Sequence, residues 1–340
     1  GDGRRHLVVG SCVGKFRFFR NTGADAQPRF GADSRWLQAD GRDAQVPNFC
    51  CVPVGVQVVD LDGDGIPDLS SGSYYPGQVY WFRGVGGGDF GPRHALAGTD
   101  GLPLGLRIGP KGAVESYKAN IAWTRWNDDE HMDVIIGDSR GLYLRKGQKG
   151  RLAYAPLPSL PVFGPQQAIL LEGANAVPPG EWRGAGTVRP VEYSAAPAVA
   201  DWDGDGLWDL ILGVEDGSVW WLRNSGRPGA PEFKSREQLV GPGVTFQWQD
   251  AAHPPRRGRR AHVQAVDFNG DGRLDLLVGD WTMVMMPRPD LTARERRTMT
   301  VILEKLAALD KEVNFQFDNQ RAGSYSYSPA WGARAGAREE

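Results

Sequence analysis

Three segments of this chain place oxygen-bearing side chains at the first, third, fifth and ninth positions of a loop, with glycine at the fourth and sixth. They are Asp60, Asp62, Asp64 and Asp68; Asp201, Asp203, Asp205 and Asp209; and Asp267, Asn269, Asp271 and Asp275. The backbone carbonyl of the seventh residue (Ile66, Leu207 or Arg273) supplies a further oxygen. Such a shell suits a hard cation of Ca²⁺ size, which takes about six to eight oxygens. Glycine at the sixth position lets the backbone turn sharply round the ion. With no His or Cys at ligand positions, Zn²⁺ fits poorly, and Mg²⁺ disfavours a cage made wholly of protein. Solvated acidic turns are the plainer reading, since Asp and Gly are ordinary turn residues. Repelling charges repeated in three loops favour the metal, with about three structural Ca²⁺ sites expected.

Two weaker copies share the register. Asn127, Asp129 and Asp133 hold the third, fifth and ninth positions behind Arg125, whose own charge is expected to stand in for an ion. The first residues, Gly1 to His6, read as a partial copy with His6 in ninth place. An EF-hand or dockerin needs an acid at position twelve and a helix after it. Here position twelve is Ser71, Leu212 or Val278, inside an apolar run that ends in glycine.

Each loop sits between short β-rich runs. Ala195 to Ala200 leads in, Leu210 to Gly213 leads out, Val219 to Arg223 follows a glycine turn, and Glu232 to Leu239 offers a fourth strand. The second copy gives Val54 to Val59, Leu69 to Ser73, Gln78 to Arg83 and Phe90 to Leu96. The first gives Leu7 to Gly10 and Lys15 to Arg20. Successive loops begin 65, 76 and 66 residues apart, the length of one four-stranded unit. The expectation is an all-β fold, a β-propeller of four-stranded blades.

The segment D-x-D/N-G-D-G-x-x-D-L followed by apolar residues and Gly resembles the FG-GAP or VCBS repeats also seen in integrin α-chain heads. Phe90-Gly91 and Ala196-Pro197 echo other parts of that repeat. The resemblance implies calcium-blade propellers of roughly seven blades and suggests a bacterial secreted member. The chain is then expected to be a fragment, or to close with five blades by adding Val313 to Phe317. Residues 1–289 are read as blades with an irregular insertion at 156–190, 290–313 as an amphipathic helix packed on the propeller side or on an absent segment, and 314–340 as a tail or the start of a further strand.

Other chemistry has little support. Gly86 to Gly91 matches a phosphate-loop spacing, and Gly10 to Gly14 a nucleophile elbow with Cys12 at its centre, but neither leads into a helix. Cys12, Cys50 and Cys51 read as free thiols, and the five His show no ligand or triad spacing. Lys plus Arg is 39 against 41 Asp plus Glu, so charge gives no case for nucleic acid. No apolar run is long enough to span a bilayer. Pro254 to Arg260 reads as a solvated basic loop, and Trp81, Trp202 and Trp208 as partly exposed. The start at Gly1-Asp2-Gly3 is neither an initiator Met nor a signal peptide, so a leader is expected to be missing. The functional expectation is a non-catalytic, Ca²⁺-binding scaffold, extracellular or periplasmic, that recognises a protein or glycan at the cell surface. The alternative is a propeller-fold lyase or hydrolase.

Overall fold

Runs of branched and aromatic residues between Gly, Asn and Pro form strands here because such side chains pack well on a pleated, half-buried surface. The computed structural model describes residues 2–48, 54–105, 117–127, 129–138, 141–148, 162–169, 195–228, 230–248, 256–285, 288, 290–302 and 304–305. A first sheet has β1 (Leu7–Gly10), β2 (Phe16–Asn21) and β3 (Phe30–Trp36). A second joins β4 (Gln38–Ala39), β5 (Arg42–Asp43), β6 (Gln57–Val59), β7 (Asp68–Gly72), β8 (Val79–Gly86) and β9 (Asp89–Ala95) in the order 5-4-9-8-7-6. After β10 (Asn120–Thr124), β11 (Asp133–Asp138) and β12 (Gly141–Arg145), the short pair β13 (Gly147–Gln148) and β14 (Val162–Phe163) precedes β15 (Gln167–Ile169). That last strand completes the third sheet beside β12.

The fourth sheet is a plain antiparallel meander of β16 (Ala196–Ala200), β17 (Asp209–Gly213), β18 (Val219–Asn224) and β19 (Phe233–Val240). Then β20 (Phe246–Trp248), β21 (Arg259–Val266), β22 (Asp275–Trp281) and β23 (Met283–Met285) form two separate pairs, β21 with β22 and β20 with β23.

This corrects the expected architecture. Among the described residues the sheets hold two, three, four or six strands rather than four throughout, and none closes into the ring of a propeller. The count departs for local reasons. The β4–β5 hairpin adds to the edge at β9, and β23 pairs in parallel with β20 instead of extending the β21–β22 hairpin. The expectations of a calcium-blade propeller, a seven-bladed parent and a five-bladed closure fall with it. Val313 to Phe317, the Cys50–Cys51 pair and the tail lie outside the described residues.

Neighbouring sheets meet through four apolar clusters. Leu210 and Leu212 of β17 pack against Ile135, Leu142 and Ile169 of the third sheet. Ile211, between them, points the other way, towards Ala261 and Val263 of β21. Trp81 lies fully buried between the second and third sheets, and Phe82 is packed with Phe16 between the first and second. The period-two alternation of each strand thus feeds two interfaces. Each fully buried Leu or Ile adds about 1.5–3 kcal/mol of transfer free energy.

Glycine closes these contacts. A Cβ on Gly72, Gly137 or Gly213 would lie 1.8, 2.0 or 2.2 Å from the carbonyl oxygen of Ala119, Ala195 or Ala261. The Gly that ends these three apolar runs is there for that approach, whereas at Gly279 the nearest atom, the His262 carbonyl oxygen, would lie 4.0 Å away. The turns at Gly10 to Gly14 and Gly86 to Gly88 join β1 to β2 and β8 to β9 as hairpins, which leaves nothing of the elbow or phosphate loop.

Residues 293–305 are helical, apart from the undescribed 303, and start with the expected capping box. The Thr292 N–H donates to Glu295 Oε2 (2.8 Å) and the Glu295 N–H to Thr292 Oγ1 (3.3 Å). Its apolar face does not pack on a sheet among the described residues: Val301 and Ile302 are each 49% exposed.

Gly213→Ala should destabilise the fold by about 1–3 kcal/mol through this backbone clash. Gly241→Ala, where nothing lies within 4 Å of the added carbon, should change it little. Urea unfolding midpoints compare the two.

Candidate metal centres and a charged cavity

Each acidic loop joins two paired strands in one fixed register. The ninth residue faces the residue just before the loop: Asp68 opposite Val59, Asp133 opposite Thr124, Asp209 opposite Ala200 and Asp275 opposite Val266. The hairpin therefore sets the loop length and closes it on itself.

The ninth carboxylate is a latch. Asp68, Asp133 and Asp209 are fully buried. One oxygen of each accepts the second residue's N–H, from Leu61 (2.9 Å), Trp126 (2.9 Å) or Trp202 (3.2 Å). The other accepts an N–H from the next stretch of sheet, Gly84 (2.7 Å), Gly147 (2.8 Å) or Asn224 (2.7 Å). Trp221 Nε1 adds a third donor to Asp209 at 3.0 Å. Burial pushes all three carboxyls above their usual range, against the pull of these donors. At the N-terminus His6 takes the same part, its Nδ1 accepting the Asn21 N–H at 3.1 Å.

The remaining carboxylates point inward. Oxygens of Asp60, Asp62 and Asp68, and likewise of Asp201, Asp203 and Asp209, lie within 4.8 Å of one another. Asp201 Oδ2 accepts the Gly206 N–H, but its buried Oδ1 has no hydrogen-bond partner among the described residues. An orphan carboxylate oxygen among two further carboxylates has the donor set of a hard-cation site. The fifth-position carboxylates, Asp64, Asp205 and Asp271, accept the N–H of Ile66, Leu207 and Arg273 and so hold the seventh residue in place.

The third loop is looser. Asp267 accepts N–H groups from Gly270, Asp271 and Gly272, while Asn269 Nδ2 donates to Asp271 and Asp275 latches Phe268. In the degenerate loop Asn127 Nδ2 donates to Asp129 at 2.8 Å, and Asn127 Oδ1 is buried without a partner among the described residues. Arg125 does not stand in for an ion there: its side chain is exposed and makes no ion pair among the described residues.

Other arginines do. Arg83 Nε lies 2.8 Å from Asp62 and its Nη2 2.6 Å from Asp64. Arg223 Nε lies 2.6 Å from Asp203 and its Nη2 3.4 Å from Asp205. At the N-terminus Arg20 reaches Asp2 at 2.9 Å. Sequence reasoning missed them, although the signal was present: the second strand after each of these loops carries an Arg in its last four residues. Each guanidinium offsets part of the loop's negative charge, and Arg83 and Arg223 take the third and fifth carboxylates while making no ion pair with the first or ninth among the described residues.

A second cluster was not foreseen. Lys118 Nζ lies 2.6 Å from Glu215 Oε2, and Arg260 Nε 3.0 Å from Glu215 Oε1. They line a cavity with His262, Tyr74 and Ser73 whose free volume is about 20 Å³, room for roughly one water. Burial would raise the Glu215 carboxyl, but Lys118 and Arg260 hold it below its usual value; burial also lowers Lys118. Burial, with Lys118 beside it, lowers His262 from 6.5 to about 4, so it is neutral at neutral pH. The basic loop is not simply solvated, since Arg256, Arg257 and Arg259 each bond to Gln247, Gly241 or Thr245. Of the three tryptophans expected to be partly exposed, Trp202 and Trp208 are and Trp81 is not.

Residues 201–278 match the model of an FG-GAP-like repeat, a segment well short of half the chain. No curated protein sequence matches. Among matching solved structures is an Agrocybe aegerita lectin described as specifically recognising non-reducing terminal N-acetylglucosamine. Identity is 16% over 81% of this chain and 61% of that one, with a TM-score of 0.34, which establishes no shared fold. The chain therefore spans less than two thirds of that lectin's length.

Asp209→Ala leaves three donors unpaired, one of them fully buried, and should cost more than about 2 kcal/mol even in chelator. Asp205→Asn, at an exposed position, should cost less than about 1 kcal/mol; urea titrations separate the two. Because His262 is depressed in the folded state, its contribution is intact above pH 6.5 and is lost as pH falls towards about 4. His262→Gln should therefore flatten the stability profile across that window, measured by thermal melting at stepped pH.

Proposed function

We propose that this chain is a non-catalytic recognition scaffold whose acidic loops bind Ca²⁺, working outside the cytoplasm at a cell surface or in the periplasm. The observation that carries the reading is the orphan Asp201 oxygen, buried within reach of Asp203 and Asp209. The ligands would be Asp201, Asp203, Asp205, the Leu207 carbonyl and Asp209 in one loop, with Asp60, Asp62, Asp64, Ile66 and Asp68 in another. Asp267, Asn269, Asp271, Arg273 and Asp275 form the third site, and Asn127, Asp129 and Asp133 a weaker one. Oxygen donors alone favour Ca²⁺ over Zn²⁺. Extracellular Ca²⁺ modules work at dissociation constants of about 10⁻⁴ to 10⁻³ M, which supports a location where Ca²⁺ reaches that range.

The metal's part is structural. It would be held by carboxylates that otherwise repel, at the point where the two strands of a hairpin meet. An ion bound only by the folded chain stabilises it by about 1.4 kcal/mol per site at ten times its dissociation constant. No helix among the described residues is long and apolar enough to cross a membrane. The partner is a protein or a glycan, with no nucleic acid, in keeping with a net charge of −2.

Melting in millimolar Ca²⁺ should exceed that in chelator by several degrees. Asp201→Asn combined with Asp203→Asn should remove part of the difference, and equal midpoints in the two buffers would refute the proposal.

A further inference from the structure

Arg83 and Arg223 hold one structural position. Each follows the residue that faces the tenth position of its loop, Phe82 opposite Leu69 and Leu222 opposite Leu210, and Arg20 follows Phe19 opposite Leu7 in the same way. The strand register therefore delivers a guanidinium to the third and fifth carboxylates, Asp62 with Asp64 and Asp203 with Asp205.

In these loops the arginine accompanies the third-position carboxylate. Where that position is Asn, at Asn127 and Asn269, the side-chain amide donates to the fifth carboxylate, Asp129 or Asp271. No arginine pairs with those residues among the described residues. Two neighbouring carboxylates repel, whereas an amide and a carboxylate share a hydrogen bond. The guanidinium thus answers the same excess of negative charge that a bound cation would answer.

The two arginine-held loops are unequal. Arg83 makes two short contacts, 2.8 Å to Asp62 and 2.6 Å to Asp64, whereas Arg223 makes one short and one long, 2.6 Å to Asp203 and 3.4 Å to Asp205. The Asp62 side chain is 1% exposed and that of Asp203 19%, so solvent screens the Arg83 pair less. The first carboxylates differ in the same sense. Asp60 accepts the Gly63 N–H on Oδ1 and the Gly65 N–H on Oδ2, while Asp201 Oδ1 has no partner among the described residues. The Asp201 loop therefore has the weaker internal cation and the freer oxygen.

We propose that Arg83 and Arg223 are built-in competitors of the ion and grade the two sites, so that the Asp201 loop takes up Ca²⁺ at a lower concentration than the Asp60 loop. This rests on the reading that these loops bind Ca²⁺ and names what regulates them. On uptake the third and fifth carboxylates exchange arginine for metal. The Arg83 and Arg223 side chains are already 42% and 54% exposed, so their release gives up little burial. A partly exposed ion pair shifts an equilibrium by at most about fivefold, so two close contacts on one guanidinium act more strongly than one.

The full chain, stripped by chelator, is titrated with Ca²⁺ in a calorimeter, and melting is followed in chelator and in saturating Ca²⁺. The parent should show a tighter site that Asp201→Asn removes and a weaker one that Asp60→Asn removes. Arg83→Gln should tighten the weaker site by about tenfold and Arg223→Gln the tighter site by about threefold. Arg83→Lys, which keeps the charge but not the fork, should fall between parent and glutamine variant. Both glutamine variants should melt lower than the parent in chelator, and the deficit should close in saturating Ca²⁺; an arginine with a purely structural role would lower melting equally in both. Affinity unchanged or weakened in both glutamine variants, a deficit that persists in saturating Ca²⁺, or loss of the weaker site in Asp201→Asn overturns the proposal and leaves the scaffold reading standing. Uptake by a glutamine variant but not by the parent would uphold the competition and refute Ca²⁺ binding by the native loops. No uptake by the parent or by either glutamine variant refutes both.

Discussion

A buried carboxylate holding backbone N–H groups from two directions is the constraint on which the rest of this molecule depends. At Asp68, Asp133 and Asp209 it fastens the acidic loop to the strand that follows the next turn. Burying an ionised carboxylate is costly unless it is hydrogen-bonded, and each of these has donors on both oxygens. The latch explains why the ninth position stays acidic in the degenerate loop, where the first has become Arg125. It also explains how His6 serves at the N-terminus: one acceptor nitrogen keeps the essential hydrogen bond.

Once latched, the loop has little freedom in where its other carboxylates point. Asp60 with Asp62, and Asp201 with Asp203, converge beside the latch and create a concentration of negative charge that needs a cation. Arg83 and Arg223 meet part of that need from the neighbouring strand. Their guanidiniums take the third and fifth carboxylates, while the orphan oxygen of Asp201 stays unserved. A cation taken up there would share one negative cluster with the arginine, whose ion pairs would compete with it.

Much of this was legible in the sequence, and what was not has physical reasons. The strands Leu7–Gly10 and Val219–Asn224 follow from alternation between glycine turns, a local signal. The acidic loops follow from spacing, which is also local. Pairing between distant segments is not: nothing near Met283–Met285 announces a parallel partner at Phe246–Trp248. Trp81 looked surface-bound because the sheet that covers it is remote in sequence. The charged cavity was hidden for the same reason, since Tyr74, Lys118, Glu215 and His262 come from four separate stretches. The φ of 56° at Lys118 and 57° at Arg260 carries no sequence mark, because left-handed backbone at Lys or Arg is imposed by tertiary context.

The two sites differ in electrostatic character, with acidic loops at the hairpin ends and a cavity of paired charges between sheets. The loops fasten the hairpins, and the cavity pairs Lys118 and Arg260 with one carboxylate, Glu215, across separate segments. The central claim is that the loops take up an ion, and equilibrium dialysis of chelator-stripped protein against Ca²⁺ tests that most directly. The account predicts saturable binding near millimolar concentration or tighter, at no fewer than two sites per chain, with one lost in the Asp201→Asn, Asp203→Asn double variant. No saturable uptake, or uptake indifferent to those two substitutions, would contradict it.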